Sequence, residues 1–241
     1  MRLRLKKKWY KAKQNNMNVA IILLGGNGTR FGENTPKQFF LIKNKPLCYY
    51  TIKSFNDSPL IDKIVLVIDN DYISQYKEIV SNYNLDKVIS YIQGGKTRQE
   101  SSFAGLKALE NVLSSNDNVL IHDGARPLVD DDIIENNINK LAEFDGVITA
   151  IPSEDTIAFE DNNVVSGYSN RKQTFRVQTP QSFKYGVILK SHKQFVNESF
   201  TDDAQLLMQN NIKIGIVIGN KKLLKVTTKE DIKFIEEYIN E

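Results

Sequence analysis

The sequence predicts an α/β fold, a doubly wound and mostly parallel sheet with an inserted β-arm. Three observations carry this prediction. Short β-branched apolar runs alternate with helix-length segments whose apolar residues recur at helical spacing. Two of the runs open into glycine stretches, at Gly25-Gly26-Asn27-Gly28 and at Gly94-Gly95, as strands do where a ligand approaches the backbone. Between about 153 and 177 the alternation breaks and a hairpin pattern takes its place.

The first strand, 19–24, is a run of apolar residues with no polar member, as expected of a strand buried on both faces. It leads into Gly25-Gly26-Asn27-Gly28-Thr29-Arg30, with Pro36-Lys37 shortly after. This is not a dinucleotide fingerprint. Counting from Gly26, the third position is Gly28 but the sixth is Phe31. The ribose-binding acid about twenty residues on is also missing, because that region reads Lys45-Pro46-Leu47-Cys48-Tyr49-Tyr50. No Gly-Lys-Ser/Thr closes the loop in the Walker manner. Glycines alone would make a simple turn; Arg30 and Lys37 behind them make a phosphate site.

Further strands are expected at 64–68, 88–92, 119–122, 147–151 and 214–218, and helices near 47–55, 72–83, 101–113 and 133–144. In the last helix Ile133, Ile134, Ile138, Leu141 and Phe144 mark one face, and Asp130-Asp131-Asp132 sits near its positive end. The hairpin pairs 156–159 with 164–168 around Glu160-Asp161-Asn162-Asn163. Its edges are unpaired and need a cover, which a second subunit would supply. The final helix begins at Thr227-Thr228, with Glu230 in capping-box spacing from Thr227. There is no internal repeat or low-complexity linker.

The chain has 241 residues, 41% hydrophobic and 25% charged, enough for one α/β domain with an excursion. No apolar run reaches the roughly 20 residues of a membrane span. A lone cysteine, Cys48, excludes an intrachain disulfide and a cysteine metal cluster, and a cytoplasmic location is expected. The net charge of +3 belongs to one end: residues 1–16 hold seven cations and no acid, leaving 25 cations against 29 acids elsewhere. That stretch reads as a disordered basic extension without catalytic role, and Met17 as an equally good start. Residues 17–241 form the domain, with the arm at about 153–177.

Gly94-Gly95-Lys96-Thr97-Arg98-Gln99-Glu100-Ser101 is a second strand–glycine–helix site, which can offer backbone groups and the Ser101 hydroxyl to a base or serve as a capped helix start. Asp123, in His122-Asp123-Gly124-Ala125-Arg126-Pro127, ends a strand where Mg²⁺ could be held by one carboxylate and substrate phosphates. His122 points to the opposite face as a packed residue. His192, in a polar helical stretch, is expected to be solvated. Two scattered histidines and one cysteine give little support to Ser-His or Cys-His hydrolysis. The same scarcity suits attack of a phosphate monoester on the α-phosphorus of a nucleoside triphosphate. That nucleophile is already largely dianionic at neutral pH, so alignment and cations suffice.

Seven motifs occur in order: Gly-Gly-x-Gly-x-Arg with Pro-Lys-Gln at 25–38, Gly-Gly-x-x-Arg-Gln-x-Ser at 94–101, His-Asp-Gly-Ala-Arg-Pro at 122–127, Asp-Thr at 155–156, Thr-Pro-Gln at 179–181, Thr-Asp-Asp-Ala at 201–204 and Lys-Val-Thr at 225–227. Together they resemble the 2-C-methyl-D-erythritol 4-phosphate cytidylyltransferases of the non-mevalonate isoprenoid pathway, over essentially all of 17–241. The resemblance implies a Rossmann-like nucleotidyltransferase fold and transfer of CMP from CTP to the sugar-alcohol phosphate. It implies catalytic roles for Arg30 and Lys37, and CTP contacts from Leu24, Gly25, Gly26, Gly28, Gly95, Lys96, Arg98, Ser101, Asp123 and Gly124. Asp123 would also hold Mg²⁺. Acceptor contacts would come from Arg126, Thr156, Arg171 and Lys225, with Arg171 reaching the partner's site in a homodimer joined by the arm. One departure is Lys221-Lys222-Leu223-Leu224, where family members often carry Asp-Asn. The nearest alternative is the sister group that makes CDP-ribitol from ribitol 5-phosphate. An alternative of another class is a non-catalytic nucleotide- or RNA-binding protein with a basic arm. The cytidylyltransferase resemblance implies neither nucleic-acid nor membrane partners.

Overall fold

The computed structural model describes residues 16–25 and 36–239, so most of the basic extension lies outside the described residues. The chain opens with β1 (Asn18–Leu23) and, after a 3₁₀ turn at Lys37–Phe39, makes a small antiparallel ladder from β2 (Leu41–Ile42) and β3 (Lys45–Pro46). There follow α1 (Leu47–Asp57), β4 (Lys63–Ile68), α2 (Ile73–Asn82), β5 (Val88–Gln93), α3 (Arg98–Lys107), β6 (Asn118–Asp123), α4 (Asp131–Lys140) and β7 (Gly146–Pro152). The arm carries β8 (Ala158–Asp161) and β9 (Val164–Tyr168). The chain ends with β10 (Phe175–Lys184), α5 (Tyr185–Gln194), α6 (Asp203–Gln209), β11 (Ile214–Ile218) and α7 (Lys229–Ile239).

The main sheet runs β11-β7-β10-β6-β1-β4-β5, and every neighbouring pair is parallel except those made by β10. Both faces are covered, which is why β1 is apolar from Val19 to Leu23. Ala20 and Ile22 pack under Cys48 and Ile52 of α1, Tyr76 of α2 and Ile134 of α4. Val19 and Ile21 pack with Leu106 of α3, Ile188 of α5 and Leu207 of α6. Gly105 lets α3 lie close on the sheet, since a Cβ there would stand 2.6 Å from Ile21 Cγ2. No described helix is long and apolar enough to cross a membrane.

The six expected sheet strands are all present, and the mostly parallel sheet agrees with the sequence reading. The seventh, β10, was not foreseen. It lies antiparallel between β6 and β7, with its register shifted between Gln178 and Gln181 around Pro180. Proline normally excludes a central strand, and here the irregularity accommodates it. Phe175–Val177, grouped with the arm by sequence, instead pair with Ala150–Pro152 of β7. α3 stops at Lys107, and the following turns still bury Leu109 and Leu113. The last helix is capped one residue later than expected. Thr228 Oγ1 accepts from the Asp231 N–H, while Asp231 Oδ2 accepts from the N–H groups of Thr227 and Thr228.

The arm hairpin turns at Asn162 and Asn163, with φ of 51° and 62°, the left-handed pair that suits a tight two-residue turn. Its base is closed where the Ser153 N–H donates to Thr174 O. Ile157, Phe159, Val164, Val165 and Tyr168 are exposed on it.

Candidate active site

From β1 the chain builds outward through β4 and β5, then returns to place β6 on the other side of β1. The carboxyl ends of β1 and β6 therefore form the topological switch point where α/β sheets receive ligands. Leu23 and Asp123 are register partners there. A cavity of about 330 Å³ opens above them.

Most residues expected to hold CTP meet around this cavity. Gly25, Gly95, Lys96, Arg98, Ser101, Asp123 and Gly124 line it, joined by Lys37 and Lys225. Leu24 does not line it. Its side chain is buried in the core while Leu23 faces the cavity. Gly26, Gly28 and Arg30 lie outside the described residues. Gly124 is required for packing, since a Cβ would fall 2.2 Å from Leu24 Cδ2 and 2.9 Å from Leu23 O.

The second glycine loop is held by its own helix. Thr97 caps α3 by accepting from the Glu100 N–H, and Glu100 Oε2 accepts from the Lys96 N–H at 2.6 Å. Ser101 Oγ accepts from the Gly95 N–H at 3.1 Å and donates to Thr97 O at 2.9 Å. The capped helix start and the glycine loop are thus one structure.

Among the described residues, Asp123 is the only acidic one along this cavity, and it is surrounded by cations. Arg98 Nε lies 3.3 Å from Oδ1, Lys225 Nζ 2.9 Å from Oδ2, and Arg126 Nε 3.5 Å from Oδ2, the last an ion pair without hydrogen-bond geometry. Burial would raise the carboxyl pKa, but Arg98, Lys225 and Arg126 hold it below the usual carboxylate range. Burial also opposes the Arg98 charge, but Asp203 and Asp123 outweigh it and raise its pKa. With Lys37 and Lys96 beside them, these groups give the cavity a positive field suited to a polyphosphate.

The segment bearing Lys225 is stitched to the same wall. The Val226 N–H donates to Ala125 O, Arg126 Nη1 donates to Leu223 O at 2.6 Å, and Lys37 Nζ donates to Val226 O at 2.8 Å. Leu223, part of the departure from the family pattern, is fully buried. Lys221 pairs with Glu154, and Lys222 lies 4.7 Å from the centre of the Tyr238 ring. The substituted residues thus anchor the segment by packing and backbone contacts.

His122 faces away from Asp123, as expected. Nε2 donates to Arg126 O at 3.0 Å, and Nδ1 accepts from Thr179 Oγ1, which itself accepts from the Asp123 N–H. These partners assign the neutral tautomer, and burial lowers the imidazole pKa to about 4. His192 differs from its expected solvated state. It is buried against Asp203, because α6 folds back over the polar face of α5.

A second cavity, of about 1020 Å³, shares Arg98, Asp123 and Lys225 with the first. Arg126, Gln178, Thr179, Gln181 and Thr201 supply its polar wall, and Val177, Met208 and Ile216 its apolar one. Gln178 and Gln181 each keep a buried Oε1 without a partner among the described residues. The Thr-Pro-Gln and Thr-Asp-Asp-Ala motifs were the available signal for this wall, although no individual roles were legible in them. Thr156 and Arg171 line neither cavity within one chain. They meet on the arm, where Arg171 Nη2 donates to Thr156 Oγ1 at 2.6 Å.

Comparison with known proteins agrees with this geometry. The family model described as IspD, 2-C-methyl-D-erythritol 4-phosphate cytidylyltransferase, matches residues 18–241. A relative of that name from Thermosipho africanus is 43% identical over 221 residues, covering 90% of this chain and 95% of its own. One from Thermosipho melanesiensis is 40% identical over 220 residues, covering 91% and 96%. The crystal structure of 4-diphosphocytidyl-2C-methyl-D-erythritol synthase from Anaerococcus prevotii superposes with a TM-score of 0.81 at 32% identity, covering 95% of this chain and all of that one. The Francisella tularensis 2-C-methyl-D-erythritol 4-phosphate cytidylyltransferase gives 0.77 at 27% identity, covering 92% and 99%. The chain belongs to the 2-C-methyl-D-erythritol 4-phosphate cytidylyltransferase family.

Proposed function

We propose that this enzyme transfers CMP from CTP to 2-C-methyl-D-erythritol 4-phosphate and releases pyrophosphate. An acceptor phosphate oxygen attacks the α-phosphorus, a new P–O bond forms, and the bond to the bridging oxygen breaks with its electrons leaving on pyrophosphate. The acceptor is already anionic, so no general base is needed. The observation that carries this reading is the cluster of Lys37, Lys96, Arg98 and Lys225 around one carboxylate at the switch point. Such groups stabilise charge that develops during transfer.

Lys37 and Arg30 act on the triphosphate, and Gly25, Gly26, Gly28, Gly95, Lys96 and Ser101 seat the nucleotide. Arg126 and Lys225 face the acceptor in the larger cavity, where the unpaired oxygens of Gln178 and Gln181 suit the hydroxyls of a sugar alcohol. Asp123 fits a Mg²⁺ that takes one carboxylate and substrate phosphates, and the described residues hold no cluster of three or more ligands that would bind a metal alone. When bound, the ion neutralises triphosphate charge. Lys225, 42% exposed against 26% for Arg98 and 12% for Arg126, is the cation best able to give up its carboxylate contact. The arm's exposed apolar residues, and the distance of Arg171 from both cavities of its own chain, support a homodimer in which Arg171 and Thr156 serve the neighbouring subunit. A cytoplasmic location follows from the nucleotide substrate.

The test is pyrophosphate release from CTP, assayed in parallel with 2-C-methyl-D-erythritol 4-phosphate and ribitol 5-phosphate, with Mg²⁺ or with EDTA. Release with the first acceptor and Mg²⁺ is expected. Preference for ribitol 5-phosphate would overturn the acceptor assignment, and full release in EDTA the role of the metal.

A further inference from the structure

Arg98 stands where the two cavities meet, and its direction is set from behind by groups that line neither. Its Nε faces Asp123 and its Nη1 donates to Asp203 Oδ2 at 2.5 Å. Two carboxylates thus share one guanidinium. Asp203 is itself clamped: Ser102 Oγ donates to Oδ2 at 3.2 Å, and His192 Nε2 lies 3.2 Å from Oδ1. A carboxylate only accepts, so Nε2 carries the proton of that contact. The His192 and Asp203 side chains are each 1% exposed. The imidazole also packs on Phe103, with ring centres 5.5 Å apart and planes at 9°.

Arg98, Ser102 and Phe103 all belong to α3, the helix that closes the nucleotide loop, while His192 and Asp203 come from α5 and α6. The cluster therefore joins the helix behind one cavity to the helices behind the other. Without the clamp, Asp203 could rotate, and Arg98, tied only to Asp123, could turn toward either cavity.

We propose that His192 and Asp203 are positioning residues for the transfer reaction, a buried pair that fixes Arg98, and through it Asp123, at the junction of the two cavities. Only the kinetic part of the test rests on the cytidylyltransferase reading. Neither residue lines a cavity, so their loss disturbs alignment more than ground-state contacts, and small misalignments of reacting groups are costly.

Three variants separate positioning from packing. His192→Phe keeps a ring but cannot donate, His192→Gln keeps a donor, and Phe103→Leu removes the stack while leaving the donor. The Arg98 Nε–H resonance in ¹⁵N–¹H NMR reports the guanidinium without requiring turnover. It is expected to shift in His192→Phe and return toward the wild-type position in His192→Gln. In pyrophosphate release, His192→Phe is expected to lower kcat by about 10-fold with KM for CTP and acceptor changed less than about threefold, and His192→Gln to recover most of the loss. Phe103→Leu is expected to lower Tm without this kcat loss. An Arg98 resonance unmoved in His192→Phe would overturn the proposal, as would equal kcat losses in the Phe and Gln variants or in Phe103→Leu. If the wild-type enzyme released no pyrophosphate, the activity reading would fail while the resonance still decided the pair.

Discussion

Gly105→Ala opposes two effects of known size. Gly105 lies in the interior of α3, where replacing glycine by alanine favours an isolated helix by about 1 kcal/mol. Against this, the added Cβ would stand 2.6 Å from Ile21 Cγ2 and 3.0 Å from Val67 Cγ2. Ordinary carbon contacts lie at about 3.5–4.0 Å, so the helix must retreat by about 1 Å or the strands must move. Ile21 and Val67 are fully buried on adjacent strands β1 and β4, and their methyls are on β-branched stems that are stiff at χ1. Overpacking of this kind costs about 1–3 kcal/mol. The clash matches or exceeds the helix gain, and Gly105→Ala is expected to destabilise by up to about 2 kcal/mol. Urea unfolding followed by circular dichroism should show a lower midpoint with the slope unchanged. Because α3 also carries Arg98 and Ser101, the same retreat should lower kcat/KM. A variant that unfolds at higher urea than the wild type would refute the claim that α3 has no room to spare.

Other perturbations probe the site and the surface. Lys37→Ala should cost roughly 3–4 kcal/mol of transition-state stabilisation in pyrophosphate release, with Tm nearly unchanged; retained kcat would remove Lys37 from the reaction. Lys225→Ala should raise KM for the acceptor more than for CTP, and an effect confined to CTP would assign it to the nucleotide. Acid should destabilise the fold through His122, whose pKa burial lowers from 6.5 to about 4. The unfolded chain binds the extra proton between those values, so stability is full above about pH 7 and falls as pH drops toward 4, by about 3 kcal/mol in all. His122→Gln should flatten that slope in urea melts at pH 8 and pH 5 without divalent ions, and parallel slopes would contradict the buried neutral imidazole. Replacing Phe159 and Val165 on the arm by serine should shift the protein toward monomer in sedimentation at micromolar concentration, and an unchanged dimer would locate its interface elsewhere.

The strands buried on both faces were readable because nothing polar interrupts them. β1 is apolar from Val19 to Leu23, and β4 from Ile64 to Ile68. β10 escaped because most of its buried residues are polar, some of them bonded within the core. Ser182 Oγ donates to Asn137 Oδ1, Asn137 Nδ2 to Thr149 Oγ1, and Thr149 Oγ1 to Pro180 O. A hydropathy pattern cannot register a core made of such bonds. His192 was misplaced for the same reason, since its partner Asp203 comes from another helix. In the site, position at strand ends found Asp123 and the second glycine loop, while Lys225 came from the family resemblance. Strand position did not separate Leu24 from Leu23, which alternate between core and cavity on a one-residue choice of register. Nor could it join Arg98 to Asp203, 105 positions away.

The position of β10 has a consequence for the chain as it is being made. By the end of β6 the growing polypeptide can form the parallel unit β6-β1-β4-β5, with Gly25 and Gly95 already at its switch point. The outer side of β6 then has no neighbour, because the strand that pairs with it begins at Phe175. During synthesis of the following fifty or so residues, that row of backbone groups is an open edge of the kind that recruits foreign strands. The arm leaves the ribosome immediately before β10, so the hairpin emerges just ahead of the strand that closes the nucleotide half.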